Sequence, residues 1–148
     1  MLSFKEQNCD FTLGEGIKEY NEYLVLNDKE VLPQLKDSSI VMDHDATHVI
    51  FGLDTSIEQE SMLDSWVFSA TNWKLKQLLA YNKLPEIKEL SKDFRHDPGY
   101  FRLVITAIKI IPIKLKIWKR SRQMNKKWPF ASPDHLMDQR ICDLREEF

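Results

Sequence analysis

Apolar positions recur at helical spacing along most of this chain, and prolines and small polar residues separate the periodic runs. Ile17, Tyr20, Tyr23 and Leu24 step by three and four, which predicts a first helix. Thr12 stands at its start with Glu15 three residues on, the spacing of a capping box, and Asn27-Asp28 closes it. Gly14 and Gly16 weaken its first turn. Ser38-Ser39 precede a second helix, 40–51, which Gly52 stops. Asp54, Thr55 or Ser56 caps a third helix. Its apolar positions Met62, Leu63, Trp66, Val67, Ala70, Trp73 and Leu78 carry it to about Ala80. A short helix fits 85–90. Pro98-Gly99 opens a long apolar and basic stretch, 100–118, which Pro112 is expected to kink. A last helix starts at Ser132-Pro133-Asp134, with proline in its first turn, and runs nearly to the end.

Period-two alternation is confined to 108–118, which by itself suits a strand. Arg102, Lys109 and Lys116 are seven apart and Arg120 four further on, so they form one polar stripe on a helix, and helix is the preferred reading. The pattern therefore predicts an all-α fold: one domain, 1–148, built as a bundle of about five to six helices.

Composition narrows the class. Hydrophobic residues make up 43% and charged residues 30%, enough apolar material for a core and too much for a disordered chain. The apolar runs 103–108 and 110–113 are short and split by Lys109, far from the roughly 20 residues of a membrane span. Cys9 and Cys142 give neither a disulfide framework nor a paired metal knuckle, which fits a reducing compartment. The first residues lack the apolar run of a secretory signal and the arginine-rich look of a transit peptide, so the protein is expected to act where it is made.

The net charge of −2 hides a strong asymmetry. Residues 1–93 carry nine basic and seventeen acidic side chains, 94–132 ten and one, and 133–148 two and five. The basic segment predicts an anionic partner. Within it, Ile108, Ile110, Ile111, Leu115, Ile117 and Trp118 alternate with lysines and arginines. A core helix with a solvated basic face has this pattern, and so does a helix lying on an anionic membrane surface. Trp118 and its aliphatic neighbours would equally serve a homodimer interface. Nucleic acid is not expected as a partner, because no recognised binding motif is present and the rest of the chain is acidic.

Candidate chemistry concentrates in Asp43-His44-Asp45-Ala46-Thr47-His48. On a helix His44 and His48 share a face one turn apart, and two such imidazoles reach one metal ion at about 2.0–2.1 Å. Asp45 lies about 100° round the helix, placed as a third ligand or as an acceptor that fixes a histidine tautomer. Glu58 and Glu60 follow on the next helix, and Glu60 can reach back from an antiparallel neighbour. A lone His-x-x-x-His pair often does no more than face water. Here two of the chain's four histidines fall beside aspartates among Ile40, Val41, Val49, Ile50 and Phe51, where burial without a partner is costly. Two nitrogens and two oxygens suit zinc best, with iron or manganese as alternatives.

The spacing His44-Asp45-x-x-His48, eleven residues, then Glu60 resembles the His-Asp-x-x-His-x11-Glu signature of the ubiquinone (coenzyme Q) biosynthesis family that is fourth in the Coq series. Gly52 falls where that family tends to have glycine, and Leu13-Gly14-x-Gly16-Ile17-x-x-Tyr20-x-x-x-Leu24 is similar to an early pattern of the family. The resemblance is looser over 64–73 and 128–140. Gln59 stands where the family usually has glycine before the glutamate, the loop 53–56 is a loose match, and the chain is shorter than is common in the family.

The resemblance implies an all-helical protein that holds a divalent metal, described as zinc, at His44, Asp45, His48 and Glu60. It implies a peripheral place on the membrane that carries the polyprenyl quinone: the cytoplasmic face of a bacterial inner membrane, or the matrix side of the mitochondrial inner membrane. Two roles follow from it. One is replacement of the C1 carboxylate of a polyprenylated benzoate head group by hydroxyl, an oxidative decarboxylation. The other is non-catalytic: a prenyl-lipid-binding scaffold that organises the other quinone-biosynthesis proteins. A metal-dependent phosphohydrolase is a third reading of a His-Asp pair, but that chemistry normally uses a further histidine upstream, and none precedes His44.

Overall fold

The computed structural model describes residues 2–33, 39–74, 105, 108–131 and 133–148. Among these it is all-α, with no strand. The elements are α1 (Leu13–Leu26), α2 (Ile40–Phe51), α3 (Ile57–Ala70), α4 (Ile111–Ser121) and α5 (Ile141–Glu147), with short 3-10 turns at Ser3–Lys5 and Pro133–Leu136.

Local signals set the start of α1 and the end of α2, whereas neither Ser39 before α2 nor Ser56 before α3 makes a side-chain cap. Thr12 and Glu15 form the full capping box of α1, each side chain bonding the other's backbone N–H. The helix buries Leu13, Gly16, Tyr20 and Leu24, one stripe at helical spacing. A Cβ on Gly16 would stand 2.6 Å from Val49 Cγ1 and 2.7 Å from Ile141 Cδ1, so glycine lets α1 approach α2 and α5 this closely. Helix α2 is buried on nearly all sides and packs against α1, α3, α5 and the N-terminal 3-10 turn. It ends at Gly52, whose φ of 66° is open to glycine at little cost. The backbone then turns back, with Gly52 N–H bonding Val49 O at 3.1 Å and Leu53 N–H bonding His48 O at 2.9 Å, a Schellman closure.

The main core gathers Phe4, Leu13, Tyr20, Val49, Trp128, Ile141 and Leu144, all essentially inaccessible to water. A smaller cluster joins Ile40, Val41 and Phe130. Helix α4 lies along α3.

Two sequence expectations are corrected, the end of α3 and the last helix. Helix α3 stops at Ala70 instead of running to about Ala80, because Thr71 turns extended and pairs in parallel with Trp128. Trp128 N–H bonds Ala70 O and Asn72 N–H bonds Trp128 O, so these backbone groups are satisfied across the fold instead of within a longer helix. Pro112 sits in the first turn of α4, where the missing N–H is not needed, and a turn at Ile110 separates α4 from helical residues 108–109, so the helical run is interrupted next to this proline. The last helix is broken. Residues 137–140 pair with the start of α1 instead, as Leu13 and Gly14 N–H bond the Gln139 and Met137 carbonyls at 2.9 and 3.0 Å, and only Ile141–Glu147 is α-helical. The expected helix at 85–90 and the start of the 100–118 stretch lie outside the described residues.

Candidate metal centre

The site forms where the C-terminal half of α2 meets the first turn of α3. His44 and His48 lie one turn apart on α2, their rings 4.6 Å apart and nearly perpendicular. Glu60 Oε1 comes from α3 to 3.5 Å from His48 Nε2. His44, His48 and Glu60 offer three ligand atoms that all lie within 4.8 Å of one another. Donors around a tetrahedral zinc ion stand about 3.4 Å apart at ordinary bond lengths, which the His48–Glu60 separation matches. Asp45 stands outside this group: it is buried, and its Oδ1 lies 3.7 Å from His44 Nδ1. At 3.7 Å this is a close electrostatic contact and not a hydrogen bond. Glu58 is exposed.

His48 is held for one task. It is fully buried, and its Nδ1 faces the Leu53 carbonyl at 3.2 Å, which places the ring proton on Nδ1. Tyr20 stacks on the ring at 4.8 Å. The remaining nitrogen, Nε2, is buried and makes no hydrogen bond among the described residues. Burial, reinforced by the neighbouring His44, holds the imidazole well below its usual pKa, so Nε2 keeps a free lone pair at neutral pH. A buried acceptor without a donor is costly, and a metal ion is the partner that this lone pair and the Glu60 carboxylate would share. The donor set present therefore fits a divalent metal.

Glu60 is half-exposed, and burial, with the negative charge of Asp64 adding to it, raises its pKa above the usual carboxylate value. Burial likewise raises Asp64, against the opposing charge of Lys114 on α4. The loop between the helices is itself bonded. Lys5 Nζ reaches Asp54 Oδ2 at 2.6 Å and Gln59 Oε1 at 3.0 Å, and Lys29 Nζ donates to the Thr55 carbonyl and hydroxyl. The sequence pattern points to both histidines and the glutamate. It does not reveal that Tyr20, read there as an apolar step of α1 and part of an early pattern, stacks on His48, or that the Leu53 carbonyl, which carries no side-chain signature, faces its Nδ1.

No family model, curated protein or solved structure matches this chain.

Proposed function

We propose that this protein binds a divalent metal, zinc by its donor set, at His44, His48 and Glu60, with Asp45 supporting His44. The observation that carries the reading is the buried His48 Nε2 with no hydrogen-bond partner among the described residues, 3.5 Å from a carboxylate on the facing helix. Three protein ligands leave a coordination position for a substrate oxygen, as in catalytic zinc sites. Together with the His-Asp-x-x-His-x11-Glu spacing, this supports a role in quinone biosynthesis on a polyprenylated benzoate precursor. A bound metal would supply Lewis acidity toward the head-group carboxylate. His44, Asp45, His48 and Glu60 would hold and orient that centre, and the closed wall of Tyr20 and Leu53 keeps water from the back of His48. Replacing the carboxylate by hydroxyl withdraws two electrons from the ring, so the reaction needs an acceptor such as molecular oxygen, since zinc has no redox chemistry. The test is metal content of protein purified without chelators, beside His48→Ala. We expect about one metal ion per chain, lost in the variant. Metal-free wild-type protein, or a variant that keeps its metal, would overturn the reading.

A scaffold role is the second reading, and the surface of α4 favours it. Ile111, Leu115 and Trp118 are half or more exposed beside exposed Lys116, Lys119, Arg120 and Arg122. No helix among the described residues is long and apolar enough to cross a membrane. A peripheral place on an anionic membrane, beside the other quinone-biosynthesis proteins and the prenyl-chain substrate, is the proposal that this surface supports.

A further inference from the structure

We infer that Lys5, Asp54 and Gln59 form a clip that presets the metal centre, a positioning role resting on the metal-binding reading above. The three side chains come from three separate places: the N-terminal 3-10 turn, the α2–α3 loop and the first turn of α3. Gln59 Oε1 accepts from the Asp54 backbone N–H at 2.8 Å and from Lys5 Nζ at 3.0 Å. Lys5 Nζ also lies 2.6 Å from Asp54 Oδ2, and Asp54 Oδ1 accepts from Ser56 N–H at 2.8 Å. One amide oxygen thus closes a ring through a loop backbone, a carboxylate and an ammonium group.

Both ends of this ring abut a candidate ligand. Asp54 follows Leu53, whose carbonyl faces His48 Nδ1 at 3.2 Å and so sets which nitrogen is offered to the metal. Gln59 precedes Glu60, whose N–H bonds the Ser56 carbonyl at 2.8 Å. Fixing Asp54 to Gln59 therefore fixes the span between the histidine's support and the glutamate. The pair is not a loose surface contact: the Lys5 and Asp54 side chains are only 23% and 16% exposed, which limits screening by water. Burial opposes ionisation of Asp54, but the hydrogen bonds from Lys5 and Ser56 outweigh it and hold its carboxyl below the usual range. Metal affinity depends on ligands being held within a fraction of an ångström, and groups behind the ligands supply that restraint. A glycine at 59, as the resembled family usually has, could not make the clip.

The test uses zinc and cobalt ions alone as probes on the full chain. Zinc affinity is measured by competition with a chromogenic chelator, and ligand geometry by the visible absorption of the cobalt-loaded protein. Gln59→Ala and Lys5→Gln are each expected to weaken zinc binding by about tenfold or more and to shift the cobalt bands. Gln59→Glu keeps an oxygen that both donors can reach and is expected to restore affinity and spectrum. Wild-type affinity and spectrum in both weakening variants would overturn the clip while leaving the metal reading intact. A loss that Gln59→Glu fails to restore would also overturn it, because the residue would then matter for folding and not for position. Wild-type protein that binds neither ion would instead overturn the metal reading, and the clip with it.

Discussion

His48 shows how much a single side chain depends on neighbours that its local sequence does not announce. Its spacing from His44 and Glu60 is legible as a ligand pattern. The direction in which its lone pair points is not, because the Leu53 carbonyl and the Tyr20 ring set it from other parts of the chain. Glu19 is a second residue whose role emerges only in three dimensions. It looks like an ordinary charge on the polar face of α1, yet it accepts the Ser3 and Phe4 N–H groups at 2.9 and 3.0 Å and so holds the N-terminal 3-10 turn. Burial works against its charge, but those hydrogen bonds prevail and its pKa falls below the ordinary 4.5. The folded-state value is the lower one. The unfolded chain therefore binds more protons in acid, and the stabilisation is complete above pH 4.5 and lost as pH falls through the folded-state value. Glu19→Gln is expected to lower stability by about 1 kcal/mol at pH 7. Urea midpoints measured from pH 7 downward should converge with those of wild type in acid. A constant gap at every pH would contradict this account.

At the scale of elements, the end of α2 carries the site and is secured twice. Gly52 closes the helix through the Schellman turn, and Arg145 of α5 then takes the exposed carbonyls. Its guanidinium donates to Ile50 O and Val49 O, both at 2.9 Å, and to Phe4 O at 2.6 Å and Glu6 O at 2.5 Å. One planar fork thus ties α5, the C-terminus of α2 and the N-terminal turn together, and its charge complements the negative end of the helix dipole. Arg145→Ala takes the side-chain donor from the Ile50 and Phe4 carbonyls, while Val49 O and Glu6 O keep the Gly52 and Cys9 N–H groups, and is expected to cost about 2–4 kcal/mol, read as a shift in denaturant midpoint. Arg145→Lys should recover little of it, since an ammonium cannot span the same acceptors. Near-complete recovery by lysine would reduce the role of Arg145 to charge alone.

Helices governed by their own caps and stops were legible in the sequence, as the capping box at Thr12 and the stop at Gly52 show. Boundaries set by distant pairing were not. Nothing local to Thr71 says that Trp128 will pair with it, and nothing in 137–140 says that the start of α1 will claim those carbonyls. Pro112 was ambiguous for a different reason. Proline serves a first turn as readily as it kinks an interior, and only the position of the preceding residues decides which. The site was more legible than these boundaries because its ligands lie on α2 and α3, consecutive helices joined by the short turn that Gly52 opens.

For the whole molecule, the main question is the segregation of charge. The acidic part of the chain carries the metal-site residues, while α4 gathers Lys114, Lys116, Lys119 and Arg120 within ten residues and continues to Arg122. Arg122 lies over the Trp118 ring at 3.6 Å, which keeps a cation and an exposed indole together at one end of the helix. Leu115 is 61% exposed and Trp118 50%, more apolar surface than a helix meeting only water would carry beside so many cations. An anionic bilayer matches both properties, with the lysines at the headgroups and the apolar side chains at the acyl boundary. Each basic side chain near such a surface contributes about 1 kcal/mol, so the double variant Lys116→Glu, Lys119→Glu is expected to weaken binding to phosphatidylglycerol vesicles by at least about 30-fold. Binding should also fall steeply with added salt and be weak on phosphatidylcholine vesicles. Trp118→Ala should weaken binding at all salt concentrations, because it removes the apolar contribution instead of charge. Sedimentation with vesicles separates these effects. Equal binding to neutral and anionic vesicles would show that charge does not direct the contact. Absence of binding to either would remove the membrane from the account of α4 and leave a second protein surface to cover it.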